Sequence, residues 1–227
     1  VGTYFAGSSP DKRGVNMAEK ADLYAFDAAV RAARGAFAGV DEAGRGPLCG
    51  PVSVAACILD PEKLIAGVND SKKLSGKKRE ALFEEIKEKA LAWKVVFIGP
   101  EVIDEKNILW ATMDGMREAV EGLFLVPNLV LVDGNRCPPG LAVPCECVVK
   151  GDGTSASIAA ASILAKVSRD RYMCELDKQF PQYQLAKHKG YPTALHYALI
   201  EQYGIQPFYR RSFLKKQGYW PVDKNHG

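Results

Sequence analysis

From residue 18 onward the chain alternates between helical and strand periodicities. Leu23, Phe26 and Val30 recur at helical spacing, which predicts a helix over Ala18–Arg34. Phe37–Asp41 and Val52–Leu59 are short, β-rich runs, and the Gly/Pro-dense stretch Ala43–Pro51 between them predicts a connecting loop. Lys77–Leu91 places Leu82, Ile86 and Ala90 on one helical face, and Trp93–Ile98 follows as a strand. Asn107–Glu121 turns Ile108, Ala111, Thr112 and Ala119 inward as a helix. Asn128–Val132 is a continuous apolar run, the pattern of a strand covered on both faces. Val143–Lys150 is a further strand, and Ser155–Cys174 a long Ala/Ile-rich helix whose small residues allow close packing. Pro181–Pro192 reads as a loop, followed by a helix to Tyr203 and an aromatic, basic tail from Gln206.

Strands grouped first and then alternating with helices predict an α/β sandwich on a mixed sheet. Residues 36–180 are expected to form the core and 181–227 a helical, basic region. Residues 1–35 read as an N-terminal extension, with 1–16 unstructured, an added or leader segment. The chain has 227 residues, a size that fits one large domain. No apolar run approaches the roughly 18 residues of a membrane span, and no secretory pattern opens the chain, so a cytoplasmic protein is expected. The six cysteines include no C-x-x-C pair and only three histidines accompany them. A zinc site at Cys145 and Cys147 therefore lacks partners, and free thiols are expected. Net charge is only +3, but residues 153–227 carry 11 Lys/Arg against 5 Asp/Glu, while 1–152 carry 19 against 22. That asymmetry suits either a basic binding surface or a solvated face.

The chemistry lies in acids at predicted strand ends. Asp41 and Glu42 close the first strand, Asp133 closes the buried run, and Asp152 follows the strand Val143–Lys150. Strand ends of an α/β sheet are where loops converge on sites. Carboxylates gathered there repel one another, and a hard divalent cation, Mg²⁺ or Mn²⁺, would relieve them. Two such ions about 3.5–4 Å apart can hold a phosphodiester for in-line attack by water. Taken singly, Asp133-Gly134 is an ordinary turn dipeptide and Asp152 an ordinary helix cap. Gly44-Arg45-Gly46 is either a tight turn or a phosphate-approaching loop. Asp70–Ser75 (DSKKLS) is either a phosphate contact or a solvated turn with Ser75 capping the next helix.

An ordered set of motifs resolves these alternatives. The segments GVDEAGRGPLCGPVSV (Gly39–Val54), DSKKLS, NILWATM (Asn107–Met113) and LVDGNRCP (Leu131–Pro138) resemble those of the ribonuclease HII family, bacterial type. So do KGD (Lys150–Asp152), IAAASILAKVSRD (Ile158–Asp170), HKGYPT (His188–Thr193) and RRSF (Arg210–Phe213), all in family order. One departure is Tyr209, where the family often has His; a C-terminal clamp-binding peptide is not evident.

The resemblance implies an RNase H-like fold: a mixed five-stranded sheet flanked by helices, with a helical C-terminal region. It implies an endonuclease on RNA/DNA hybrids that also cuts 5′ to ribonucleotides embedded in duplex DNA. The products would be 3′-hydroxyl and 5′-phosphate ends, formed with two Mg²⁺ or Mn²⁺ ions on Asp41, Glu42, Asp133 and Asp152. By the same resemblance Gly44, Arg45 and Gly46 sense the 2′-hydroxyl, the group that separates RNA from DNA, and Tyr191 stacks on the neighbouring sugar. Lys72, Lys73, Asn107 and Thr112 are expected on the nucleic-acid backbone, and the enzyme is expected to act as a monomer. The alternatives are the sister family ribonuclease HIII and a non-catalytic duplex-binding module. The short stretch before Gly39 and the HKGYPT motif favour HII over the first, and four unneutralised acids disfavour the second.

Overall fold

The computed structural model describes residues 18–216 and Gly218; the expectation for residues 1–16 lies outside them. Five strands form one sheet in the order β3-β2-β1-β4-β5. They are β1 (Phe37–Ala43), β2 (Val52–Ile58), β3 (Ala92–Ile98), β4 (Leu129–Asp133) and β5 (Cys145–Val148). β1 pairs antiparallel with β2, and β2 antiparallel with β3; β1–β4 and β4–β5 are parallel, so the sheet is mixed as expected.

Helices cover both faces. α3 (Pro100–Glu121) buries Ala111, Met113, Met116 and Ala119 against Val40, Val54 and Val132 on one side. α4 (Ala156–Gln179) crosses the centre of the other side with Ala159, Ala160 and Ala161, joined by α2 (Gly76–Lys89). The approach of α4 to β1 is so close that a Cβ at Gly39 would stand 2.3 Å from the Ser157 carbonyl carbon. Small residues on both elements are therefore a packing requirement, not a compositional accident. α1 (Ala18–Arg34) lies against this layer: Leu23 is in its core, and Phe26 and Val30 pack on Phe37 and Leu129.

The C-terminal part is helical, with α5 (Leu185–His188), α6 (Ala194–Tyr203) and α7 (Arg211–Lys216). Its core of Tyr183, Leu185, Leu199, Tyr209 and Leu214 takes in Leu48 and Cys49 from the β1–β2 loop. Backbone bonds join the two: Leu48 N–H donates to the Gly190 carbonyl, Gly50 N–H to Phe208, and Arg210 N–H to Leu48.

Several predicted boundaries shift. β1 runs two residues past Asp41 to Ala43, so Asp41 and Glu42 lie within the strand. β5 is four residues rather than eight: it starts at Cys145, and past its end Lys150 adopts left-handed backbone (φ 58°) and residues 151–153 form a 3₁₀ turn. α3 starts at Pro100, seven residues before the predicted Asn107, and breaks at Asn107 itself (φ 66°, ψ 164°). The Pro181–Pro192 loop contains a 3₁₀ turn and α5.

Candidate active site

The register places the acids. Val40 pairs with Val132 across the parallel β1–β4 ladder, so Asp41 and Asp133, one residue further on, lie side by side. Asp152 arrives on the 3₁₀ turn after β5. One carboxylate oxygen each from Asp41, Asp133 and Asp152 lies within 4.8 Å of the others. Glu42 is not in that group, for a geometric reason. Successive strand side chains point to opposite faces: Asp41 meets Ser162 of α4, while Glu42 stands beside Leu109, Met113 and Met116 of α3. Glu42 nevertheless shares a recess of about 210 Å³ with Asp133, Arg45, Asn135 and Arg136, and Arg45 Nη1 lies 3.4 Å from its Oε1.

Each acid is held. Asp41 Oδ1 accepts the Glu42 N–H at 2.7 Å, and Asp133 Oδ1 accepts the Gly151 N–H at 2.7 Å. Ser162, whose hydroxyl also pairs with Ser71 at 2.9 Å, bonds the Asp41 carboxylate. Burial first, and then the charges of Glu42 and Asp133, push the Asp41 carboxyl well above the usual carboxylate range. Burial likewise raises Glu42, with Arg45 opposing it and Asp133 adding to it. Asp152 is raised by burial, then by Asp133 and Asp70, against the pull of Lys72. A like-charged, hard-oxygen set with raised protonation is what a divalent cation would neutralise, so the donors fit Mg²⁺ or Mn²⁺. Lys72 Nζ, 3.6 Å from Asp152 Oδ2, is a nearby cation that partly answers this charge.

The Gly44–Pro51 loop is fastened by two fully buried arginines. Arg210 donates to the carbonyls of Gly44 (2.7 Å), Pro47 (2.9 Å), Gly50 (2.9 Å) and Arg45 (3.0 Å). Arg169 donates to Pro51 (3.0 Å), Cys49 (3.2 Å) and Lys189 (3.0 Å). Gly44 has φ +92°, and a Cβ there would meet Arg169 Nε at 1.9 Å, so this glycine is demanded twice over. Tyr191 is 40% exposed, and a Cβ on Gly46 would stand 3.9 Å from its ring. The Arg169 guanidinium and the Lys166 ammonium flank that ring at 5.8 and 5.9 Å.

Other predicted site residues differ in placement. Lys72 and Lys73 are exposed on the 3₁₀ turn that Asp70 caps. Asn107 Oδ1 accepts from the N–H groups of Leu109 (3.0 Å) and Trp110 (3.3 Å), capping the second half of α3. Thr112 is fully buried, its hydroxyl on the Ile108 carbonyl at 2.7 Å. Sequence reasoning missed Asp27, Ser162, Arg169 and Arg210 as supports. Asp27, 2% exposed, accepts from Ser155 Oγ (2.6 Å), Ser157 N (2.9 Å) and Ser157 Oγ (2.7 Å), tying α1 to the start of α4. A lone Asp in an amphipathic helix gives no sign of that.

A mixed sheet that gathers three carboxylates at its strand ends, beside a glycine loop bonded to the helical C-terminal part, is the arrangement of an RNase H-like fold, and the acid group is compatible with a divalent metal. Residues 38–216 match the family model for Ribonuclease HII. Ribonuclease HII of Vibrio parahaemolyticus serotype O3:K6 (strain RIMD 2210633) is 61% identical over 176 residues, 78% of this chain and 83% of that protein. The crystal structure of ribonuclease H2 from Pyrococcus horikoshii OT3 superposes with TM-score 0.69 at 27% identity, covering 81% of this chain and 96% of that one. RNase HII of Archaeoglobus fulgidus, solved in a complex with PCNA, gives 0.67 at 27%, covering 84% and 98%. The chain belongs to the ribonuclease HII family. It is a hydrolase acting on RNA, with ribonuclease H endonuclease activity. Among the described residues no helix is long and apolar enough to cross a membrane.

Proposed function

We propose that this enzyme cuts the RNA strand of RNA/DNA hybrids and also incises duplex DNA 5′ to a single embedded ribonucleotide, leaving 3′-hydroxyl and 5′-phosphate ends. The observation that carries the reading is the placement of Tyr191 beside Gly46, on the loop next to the carboxylate group. One ribonucleotide offers one 2′-hydroxyl, so a protein that acts on it needs its RNA-sensing groups at the cut itself. Gly44, Arg45 and Gly46 supply backbone at that point, and Tyr191 supplies an exposed ring to stack on the next sugar.

Asp41, Asp133 and Asp152, with Glu42 from the other face, would hold two Mg²⁺ or Mn²⁺ ions. Bound there, the ions would supply the Lewis-acid charge that positions a phosphodiester and favours attack by water. The chain's own part is orientation. Ser162 and the Gly151 N–H fix the Asp41 and Asp133 carboxylates, and the two buried arginines fix the loop. Lys72 and Lys73 would meet phosphates, positioning the duplex without reading sequence. Asn107 and Thr112 take a supporting part: both shape α3 behind the recess. The enzyme would act as a monomer in the cytoplasm.

The test is cleavage of a DNA duplex carrying one ribonucleotide, with Mg²⁺ or Mn²⁺, beside a long hybrid. Incision of both substrates on the 5′ side, lost in Asp133→Asn while hybrid binding persists, is expected. Cleavage of the hybrid alone would place the enzyme with the ribonuclease HIII type in its substrate range.

A further inference from the structure

The loop that leaves the Asp133 strand carries chemistry that hydrolysis does not use. Cys137, four residues past Asp133, points back at β5, where its Sγ lies 3.4 Å from Cys147 Sγ. Cys147 is exposed and Cys137 half-buried, so reagents in solution reach the pair. Cys145, two residues earlier on the same face of β5, adds a third thiol that bonds Cys137. The separation is short of a bond yet close enough that a disulfide of about 2.05 Å needs the two sulfurs to approach by only about 1.4 Å. The connecting segment can yield that distance. It is pinned at its ends by Gly134 N–H on the Val148 carbonyl and Val130 N–H on Pro144. Between them Arg117 Nη1 touches the Pro139 carbonyl at 3.5 Å.

We propose that Cys137 and Cys147 form a reversible disulfide under oxidation by a low-molecular-weight disulfide, and that closing it slows the nuclease. One thiolate attacks the reagent disulfide, giving a mixed disulfide and one reagent thiolate. The second cysteine thiolate then attacks the bound cysteine sulfur and releases the other reagent thiol. Two cysteine thiols are oxidised by two electrons and one reagent disulfide is reduced to two thiols. Cys147 is preferred over Cys145 as partner because it lies on the ladder beside Val132, next to the acid, and is the more exposed. The consequence for activity follows from the chain between Asp133 and Cys137. Asn135 and Arg136 line the same recess as Glu42 and Asp133. Drawing Cys137 toward β5 moves them by an appreciable fraction of that approach. Burial first, and then the Cys145 contact at Cys137 and the Cys137 contact at Cys147, push both thiols up to about 11. With little thiolate present the pair reacts slowly, so an excess of the disulfide reagent is needed.

The experiment incubates the reduced full chain with excess oxidised glutathione, maps disulfide-linked peptides by mass spectrometry, and assays hybrid cleavage before and after dithiothreitol. The expected result is a Cys137–Cys147 link and a loss of rate on the order of tenfold, as a small misplacement at a reacting site can cause. Dithiothreitol should reverse both. Cys145→Ser should behave as the wild type, and Cys147→Ser should keep its rate throughout. Glutathione adducts without the internal link, a link from Cys137 to Cys145 instead, or a linked enzyme that cuts as fast as the dithiol form would each overturn the proposal.

Discussion

Replacing Arg210 by Met removes four hydrogen bonds at once and leaves the shape of the side chain broadly filled. Arg210 has no exposed surface, and its guanidinium donates only to main-chain carbonyls between Gly44 and Gly50. Bonds from a charged donor contribute about 1.5–3 kcal/mol each, which for four gives roughly 6–12 kcal/mol. Against that stands the cost of burying the cation, several kcal/mol. Burial, and then the neighbouring Arg169, pull its pKa down, which is the same cost seen from the proton's side. The net loss on substitution is about 3–5 kcal/mol, or roughly 10 °C in melting temperature for a chain of this size. Activity should fall as well, and separately from stability. At a temperature where the variant is still folded, the loop carbonyls must turn to find water. Displacement of Gly44–Gly46 beside the acids should then cost on the order of 10²-fold in cleavage rate. Arg210→Lys keeps the charge but cannot span four carbonyls, so it should fall between the two. The measurements are thermal melts and initial rates on a hybrid, with and without divalent cation. An Arg210→Met enzyme that melts within about 2 °C of the parent and cuts at its rate would show that the loop holds itself, and the reasoning would fail.

Further outcomes follow from the same structure. Tyr191→Phe should keep most activity and Tyr191→Ala should lose on the order of 10²-fold on a single-ribonucleotide duplex with little change in melting temperature; normal cutting by an unstable Ala variant would make the ring structural. Asp27→Ala should cost about 2–4 kcal/mol by stranding the Ser157 N–H and two hydroxyls, read as a lower denaturant midpoint with unchanged chemistry in the folded enzyme. The raised carboxyls of Asp41, Glu42 and Asp152 bind protons more tightly folded than unfolded. Their contribution to metal-free stability is therefore most favourable below the ordinary carboxylate range near pH 4, and falls as pH rises through the raised values. Mn²⁺ competes with those protons, so its thermal shift should be larger at pH 8 than at pH 5.5; an equal shift at both would place the ion elsewhere.

What the sequence made legible was local. The buried run before Asp133 reads as a covered strand because every residue is apolar, and the small residues of α4 announce close packing. The pairing of β1 with β4 is not local, since it joins segments some ninety residues apart; only the ordered motifs implied it. The first turns of α3 escaped notice because Glu101, Asp104, Glu105 and Lys106 blur any apolar stripe, while Asn107 looks like a start when it is a cap inside a longer element. Glu42 joins the other acids through the family resemblance; a strand turns neighbours to opposite faces, so only the fold shows that Glu42 meets Asp133 from the α3 side. Arg169 and Arg210 could not be foreseen as supports. A buried arginine is ordinarily sought beside a carboxylate, and their partners are carbonyls, which every residue possesses.

A trans peptide carries its N–H opposite its C=O, and the chain has no cis bonds among the described residues. With the Gly44 and Arg45 carbonyls drawn inward to Arg210, the amides of Arg45 and Gly46 face the other way. The main chain at this point is thus polarised: its negative ends are anchored inside the protein and its positive ends are presented outward, as at the first turn of a helix. Such a surface has no side chain to vary. The outward direction of those amides depends on one guanidinium, supplied 166 residues along the chain from Gly44.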